Sequence, residues 1–214
     1  MKTISRLFFI VGLASLSACT PSQKNMEAQE AASEGKNQVI ETIMSRRSIR
    51  KYKQQPVEQE KLRQILECGI NAPNGQNKQS WEIRVVNTLD YISELDSLNR
   101  SLALAKGADA SKIRHASYGA PVMIFIANDT TYDFSQVDCG LLGANMILTA
   151  ESLGLGSCCL GGIARTMKLP EAESLLKRLD LPENYNLLYA ISFGYPDESP
   201  AAKPRRAEKI KFVE

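Results

Sequence analysis

Seven residues, Arg46-Arg47-Ser48-Ile49-Arg50-Lys51-Tyr52, place four cations and a serine hydroxyl directly after an amphipathic run. Arg46 and Arg50 lie four apart, so they share a side whether the segment is helical or extended, and Ser48 joins them if it is extended. A guanidinium fork matches a pair of phosphate oxygens and a serine hydroxyl adds a short neutral bond, so the trio suits a phosphomonoester. Taken alone, the same run also reads as a solvated basic face. A second stretch, Asn71-Ala72-Pro73-Asn74-Gly75-Gln76-Asn77-Lys78-Gln79-Ser80-Trp81, is dense in amides and turn formers. Asn and Gln offer donors and acceptors that can bond the carbonyl and N–H edge of a heterocycle, and Trp81 supplies an aromatic anchor. An Asn-Gly-rich turn entering a strand has the same composition.

The elements that must position these residues follow from hydrophobic period. Val39, Ile40, Ile43 and Met44 mark a short helix that delivers Arg46. Leu62, Ile65, Leu66, Gly69 and Ile70 repeat at helical spacing over 58–70, so a second helix ends just before the amide-rich loop. Residues 82–87 read as a strand, 90–104 as a helix, and 105–118 as a polar Gly/Ala-rich piece, either a lid or a plain surface excursion. The near-continuous apolar run 121–127 predicts a buried strand. Residues 134–153 form a helix apolar almost all round, including Val137, Leu141, Leu142, Met146 and Ile147. Such a helix needs cover on every side, at a subunit interface or at the centre of a monomer core. Gly154-Leu155-Gly156 closes it, 157–160 forms a short strand, and Gly161-Gly162 reads as a turn whose backbone a flat ring could approach. A helix over 170–181 and a buried strand over 185–193 complete the order, before a tail holding Pro204-Arg205-Arg206.

At 214 residues, 43% hydrophobic and 23% charged, the chain suits one α/β-type domain and shows no nucleic-acid signature. Its single histidine, His115, reads as a surface residue, and the chain lacks GxGxxG, GxxxxGK[S/T], HExxH and GxSxG motifs. Hydrolytic triads, zinc hydrolysis and P-loop chemistry are therefore poorly supported, and any catalysis falls to a bound cofactor. Cys68, Cys139, Cys158 and Cys159 fit neither a zinc site nor a CxxC pair, and their apolar contexts predict buried free thiols.

Lys2 and Arg6 precede an apolar run, 7–16, that is too short to span a bilayer and ends in Ser17-Ala18-Cys19. Leu16-Ser17-Ala18-Cys19 resembles the bacterial lipoprotein box, which implies a lipoprotein signal peptide over 1–18 and lipidation of Cys19; an ordinary secretory signal is the alternative. Removal of 1–18 takes away two cations and no acid, which leaves 24 basic against 24 acidic residues. Acyl chains rather than charge would then hold the protein to a membrane. Residues 19–36, rich in Gln, Glu, Ala, Ser and Lys, read as a flexible tether, and 37–214 as the folded domain.

The order Arg-Arg-Ser-Ile-Arg-Lys-Tyr, Ala-Pro-Asn-Gly-Gln-Asn-Lys-Gln-Ser-Trp, Gly-Leu-Gly-Ser-Cys-Cys-Leu-Gly-Gly and a late Phe-Gly-Tyr-Pro resembles the FMN-dependent nitroreductase family from about residue 38 onward. Ser80 and Cys159 depart from that family, which usually has proline and commonly a bulky aromatic there. The resemblance implies an α+β fold, a central, mostly antiparallel sheet flanked by helices, in an intertwined homodimer with FMN between subunits. It implies that Arg46 and Ser48 hold the phosphate and ribityl end, that Arg47 belongs to the cofactor-binding set, and that Arg50 stabilises charge at the pyrimidine end. Asn77 would bond the ring edge, Gly161 would face flavin N5 with Gly162 beside it, and Arg205 and Arg206 would meet the phosphate. The implied activity is two-electron, ping-pong reduction of nitroaromatic or quinone-like acceptors by NADH, NADPH or another donor. The alternatives are a reductive dehalogenase on the same scaffold and a non-catalytic flavin-binding lipoprotein. The expected location is the bacterial cell envelope, lipid-anchored and periplasm-facing. Reduced nicotinamides are scarce there, so either the donor or the physiological reaction would differ.

Overall fold

The longest uninterrupted apolar run in the middle of the chain forms strand β2, Val122–Asp129, and the rest of the domain is arranged on its two faces. In this computed structural model, which describes residues 37–213, Val122, Ile124 and Ile126 point into one core, and Met123 and Phe125 into another. Side chains alternate along a strand, so a strand covered on both faces must be apolar at every position. β2 lies between β1 (Trp81–Val86) and β4 (Tyr185–Gly194), and β3 (Gly156–Leu160) closes the far edge of β4. Every pairing in this four-stranded sheet is antiparallel.

Two units are distinguished, 1–40 and 41–214. Of the first, only 37–40 are described; there Asn37 Oδ1 accepts from Val39 N at 3.0 Å and Ile40 N at 3.3 Å, an N-cap for helix α1, Gln38–Ser45. The signal peptide, Cys19 and the tether lie outside the described residues. In the second unit, α2 (Gln59–Ile70) and α4 (Ser135–Ser152) cover one sheet face through Leu62, Ile65, Leu142 and Met146. The other face is covered by α3 (Leu89–Ala105), α5 (Gly161–Thr166) and α6 (Glu173–Arg178), with Tyr91, Leu95, Ile163 and Leu175 inward. No helix among the described residues is long and apolar enough to cross a membrane.

Four expectations change. α4 is not enclosed by the described residues: Phe134 and Val137 are 61% and 56% exposed and Leu141 follows them at helical spacing, so among these residues the monomer core leaves an apolar stripe bare. Gly161 and Gly162 open helix α5 rather than forming a turn, because Leu160 (φ −121°, ψ 71°) already bends the chain out of β3. The helix expected over 170–181 divides into a 3₁₀ turn, Pro170–Ala172, and α6, since Ala172 (φ −98°, ψ 2°) leaves helical geometry. Finally, Cys68 and Cys159 are exposed while Cys139 and Cys158 are buried; all four are free thiols.

Burial pushes the Cys139 thiol from its ordinary 9.0 up to about 12, helped by the neighbouring Asp138 carboxylate. The neutral thiol is the folded form, so its stabilising effect is complete below the unfolded value and is lost as pH rises from 9.0 toward 12. In denaturant unfolding at about pH 8 and about pH 10.5, Cys139→Ala should lose about 2 kcal/mol less stability between the two than the parent chain does.

Candidate functional site

Beyond Ser45 the basic stretch runs extended along the outer edge of β3. Ser48 forms a parallel bridge with Ser157, Ile49 N donates to Ser157 O at 2.9 Å, and Tyr52 bridges antiparallel to Pro196. Two apolar anchors fix it. Ile49 is buried against Gly156, where a Cβ would stand 2.7 Å from the Ile49 side chain, so only glycine permits this approach. Tyr52 is buried as well, its hydroxyl 2.7 Å from Ile49 O, to which it donates, and 2.9 Å from Ser192 Oγ.

With those residues inward, Arg46, Ser48 and Arg50 come together. Arg46 Nη1 donates to Ser48 Oγ at 3.2 Å, and Arg50 Nη1 to Ser48 O at 3.2 Å. The buried Cys158 thiol lies beside them; burial raises its pKa, while Arg50, Arg46 and the Ser48 hydroxyl oppose the rise. The Glu198 carboxylate accepts from Arg50 N. Arg47 is employed differently: its Nη1 donates to Met44 O at 2.7 Å, Ser45 O at 2.9 Å and Arg46 O at 2.9 Å, so it satisfies carbonyls left open at the end of α1.

β3 then acts as a spacer. Gly161 lies four positions along from Ser157, beside Ser48, which amounts to roughly 13 Å of extended chain. Apart from its chain neighbours and the backbone of its own helix, nothing lies within 4 Å of the place a Gly161 Cβ would occupy, and there a cavity of about 570 Å³ opens. Its wall includes Cys159, where the sequence departs from the family pattern, and Lys106, Ala116, Tyr118 and Arg165, which motif reading did not single out. The 105–118 segment thus forms part of the cavity wall. Asp96 of α3 holds it there: Asp96 Oδ1 accepts from Ser117 N at 2.8 Å, and Asp96 Oδ2 from Ser117 Oγ at 2.7 Å, with exposed His115 Nδ1 at 3.1 Å. An acid on a helix that otherwise buries Tyr91, Ile92 and Leu95 was the available signal.

The amide-rich loop is built on another carboxylate, Asp138 in the first turn of α4. Gly75 N donates to its Oδ1 at 2.9 Å and Ser80 Oγ to its Oδ2 at 2.7 Å. The hydroxyl that replaces the expected proline therefore pins the loop. Gln76, Asn77 and Gln79 have φ of 55°, 52° and 49°, left-handed conformations that persist only when their surroundings hold them. Asn77 is exposed and is not brought to the arginines within one chain. Trp81 pairs with Asn128, opposite Asn186, whereas Ser157 pairs with Phe193 at the other end of β4. Three strand spacings across and seven residues along put the two stretches roughly 25 Å apart. Arg205, whose Nη1 donates to Lys203 O at 3.3 Å, and Arg206, which caps a 3₁₀ turn, lie on the exposed tail.

Comparison with known proteins supplies an independent view of this arrangement. A family model described as the nitroreductase family matches residues 43–195. A relative from Vibrio harveyi, an NADPH-flavin oxidoreductase, is 31% identical over 175 residues, covering 79% of this chain and 70% of that protein. Among solved structures, a nitroreductase with bound FMN from Desulfitobacterium hafniense is similar at a TM-score of 0.75 and 30% identity, covering 84% of this chain and all (100%) of that one. Another with bound FMN, from Bacteroides fragilis, is similar at a TM-score of 0.71 and 29% identity, with 84% and 100% covered.

Removing the Asp138 carboxylate strands two donors. Asp138→Ala should destabilise the fold by about 2–4 kcal/mol, and Asp138→Asn, which keeps one acceptor, by about half as much. Denaturant unfolding measures both, and hydrogen exchange at the amides of 75–79 should accelerate in step.

Proposed function

Because the chain belongs to the nitroreductase family, we propose that it binds FMN along β3 and works as an oxidoreductase drawing on NADH, NADPH or another small-molecule donor. The observation that carries this reading is the pairing of two features on one strand: Arg46, Ser48 and Arg50 gathered at its start, and the unobstructed backbone of Gly161 and Gly162 at its end. The residues fit the cofactor. A guanidinium pair with a hydroxyl between suits a terminal phosphate, and a glycine pair with open space beside it suits a planar ring. FMN, when bound, supplies two-electron chemistry, accepting from the donor and delivering to a nitroaromatic or quinone-like acceptor in a ping-pong cycle.

The protein's part is to bind, orient and exclude. Arg46 and Ser48 would hold the phosphate and ribityl end, with Arg50 setting positive charge beside the cradle. Gly161 and Gly162 would present the first N–H groups of α5 to the ring, since a helix start leaves these donors without intrahelical partners. Arg47 contributes indirectly by fixing the end of α1 from which Arg46 departs.

We read the assembly as an intertwined homodimer. The bare stripe of Phe134, Val137 and Leu141, together with exposed Ile210, Phe212 and Val213, offers apolar surface for a second copy. The separation between Asn77 and the arginines supports the same reading: the partner's Asn77 would reach the ring edge from the other chain. Arg205 and Arg206 join the phosphate only if the tail moves toward it or is placed there by the partner. We further read the N-terminal segment as a lipoprotein leader that anchors the mature protein to the bacterial envelope, periplasm-facing, through Cys19. In that case Cys19→Ser should move the protein from the membrane to the soluble fraction; an unchanged distribution would refute the anchor.

The flavin assignment is tested by Arg46→Ala combined with Arg50→Ala. Loss of two charge-assisted contacts should weaken FMN binding by about 3 kcal/mol or more, roughly a hundredfold, in fluorescence titration of the flavin-free chain. Far-ultraviolet circular dichroism should be unchanged. Stoichiometric yellow flavin retained by the double variant would overturn the assignment.

A further inference from the structure

We propose a second binding site, for a nucleoside 5′-monophosphate moiety, along one face of α3 and apart from the flavin cradle. That face changes character along its length. Leu89 and Ile92 are apolar, Ser93, Asp96 and Ser97 are polar, and Arg100 is a cation. Spacings of three and four put them on one side of the helix, and Ile92 to Arg100 covers about 12 Å of its axis, enough for a base, a sugar and a phosphate in line. Two cavities open on this face and share Ser93, Asp96 and His115. The larger, about 570 Å³, has an apolar floor that includes Ile92, Pro121 and Val122, and the amides of Gln54, Gln55 and Asn87 in its wall, with no lysine or arginine. The smaller, about 200 Å³, has Arg100 and Arg114 in its wall.

The two chambers ask for different ends of one ligand. Apolar surface bordered by amides suits an uncharged heterocycle, whose edge groups the amides can match as both donors and acceptors. A pair of guanidinium groups next door suits a phosphate. These groups are available: among the described residues, the side chains of Gln54, Gln55, Asn87 and Arg114 have no hydrogen-bond or ion-pair partner, and Arg100 has one, from its Nη1 to Ala110 O at 3.3 Å. Asp96, between the chambers, is already engaged. Its side chain is 10% exposed, and its carboxylate accepts from Ser117 N at 2.8 Å and Ser117 Oγ at 2.7 Å, with His115 Nδ1 at 3.1 Å. The segment 115–119 separates this site from the cavity over the glycine pair: Ala116 and Tyr118 line that cavity, whereas His115, Ser117 and Gly119 line this one. The Gln54 Nε2 stands 3.9 Å from where a Cβ on Gly119 would be, so the amide lies against the same segment.

The test titrates full-length, FMN-loaded protein, whose arginine cradle at β3 is then occupied, with AMP and with adenosine in a calorimeter. AMP should bind roughly tenfold more tightly than adenosine, and the ratio should collapse toward one in Arg100→Met combined with Arg114→Met. In Gln54→Leu combined with Asn87→Leu, both probes should bind roughly tenfold more weakly. All four positions are exposed, so the variants should fold; circular dichroism verifies it. No AMP binding, a parent ratio near one, or a ratio unchanged in the arginine variant overturns the proposal, as does adenosine affinity unchanged in the amide variant. So does AMP binding that survives in the arginine variant but is lost in Arg46→Ala combined with Arg50→Ala, since the nucleotide would then occupy the flavin cradle. Displacement of bound AMP by NAD identifies the moiety as the adenosine half of a dinucleotide, and AMP that NAD does not displace identifies a free nucleotide. A chain that takes up no flavin overturns the earlier reading alone, because the arginine and amide variants report on this site in either form.

Discussion

The site exists because the segment after α1 can lie against the backbone of β3, and that approach depends on Gly156 having no side chain. With Ile49 seated where a Cβ would otherwise be, Ser48 takes register with Ser157 and the flanking arginines are turned to the free side. Tyr52 fixes the far end of the same segment through its buried hydroxyl. Local charge density alone would leave four mutually repelling cations in water. Apolar packing at Ile49 and Tyr52 makes two of them, with a serine, into a directed cradle.

Two carboxylates do comparable work elsewhere, each converting a polar loop into a fixed surface. Asp138 gathers the Gly75 N–H and the Ser80 hydroxyl, which brackets Gln76, Asn77 and Gln79 in left-handed backbone conformations. Asp96 gathers both donors of Ser117 and so sets Tyr118 at the cavity wall. Each acid sits on a helix packed against the sheet, so the rigidity of the core is passed to the loops through hydrogen bonds rather than through apolar contact. A buried acceptor is costly unless its donors arrive, and that cost couples loop conformation to folding.

Much of this was legible from the residues. Continuous apolar runs located β2 and β4, and helical spacing α2 to α4, within a residue or two, because burial on both faces makes a strand apolar throughout while burial on one face imposes the helical period. The Arg46–Ser48–Arg50 side followed from spacing alone. Arg47 was not separable from its neighbours, since the sequence does not show that its guanidinium would turn back to the α1 carbonyls. Gly161 and Gly162 read as a turn because glycine is a poor helix former, yet here they begin a helix whose next two residues, Ile163 and Ala164, are secured by burial. Lys106, Tyr118 and Arg165 escaped notice for a different reason: they are distant in sequence and meet only when α3, its following loop and α5 converge. The exposure of Cys159 beside buried Cys158 follows from strand alternation once the register of β3 is known.

The short strand β3 carries a constraint on how this protein can change over time. Its five residues set both the distance and the phase between the arginine cradle and the glycine pair. A single inserted residue would lengthen the span by roughly 3.3 Å and exchange the faces presented by its cysteines. Its length is therefore held by the spacing it sets, as its first residue, Gly156, is held by the approach of Ile49.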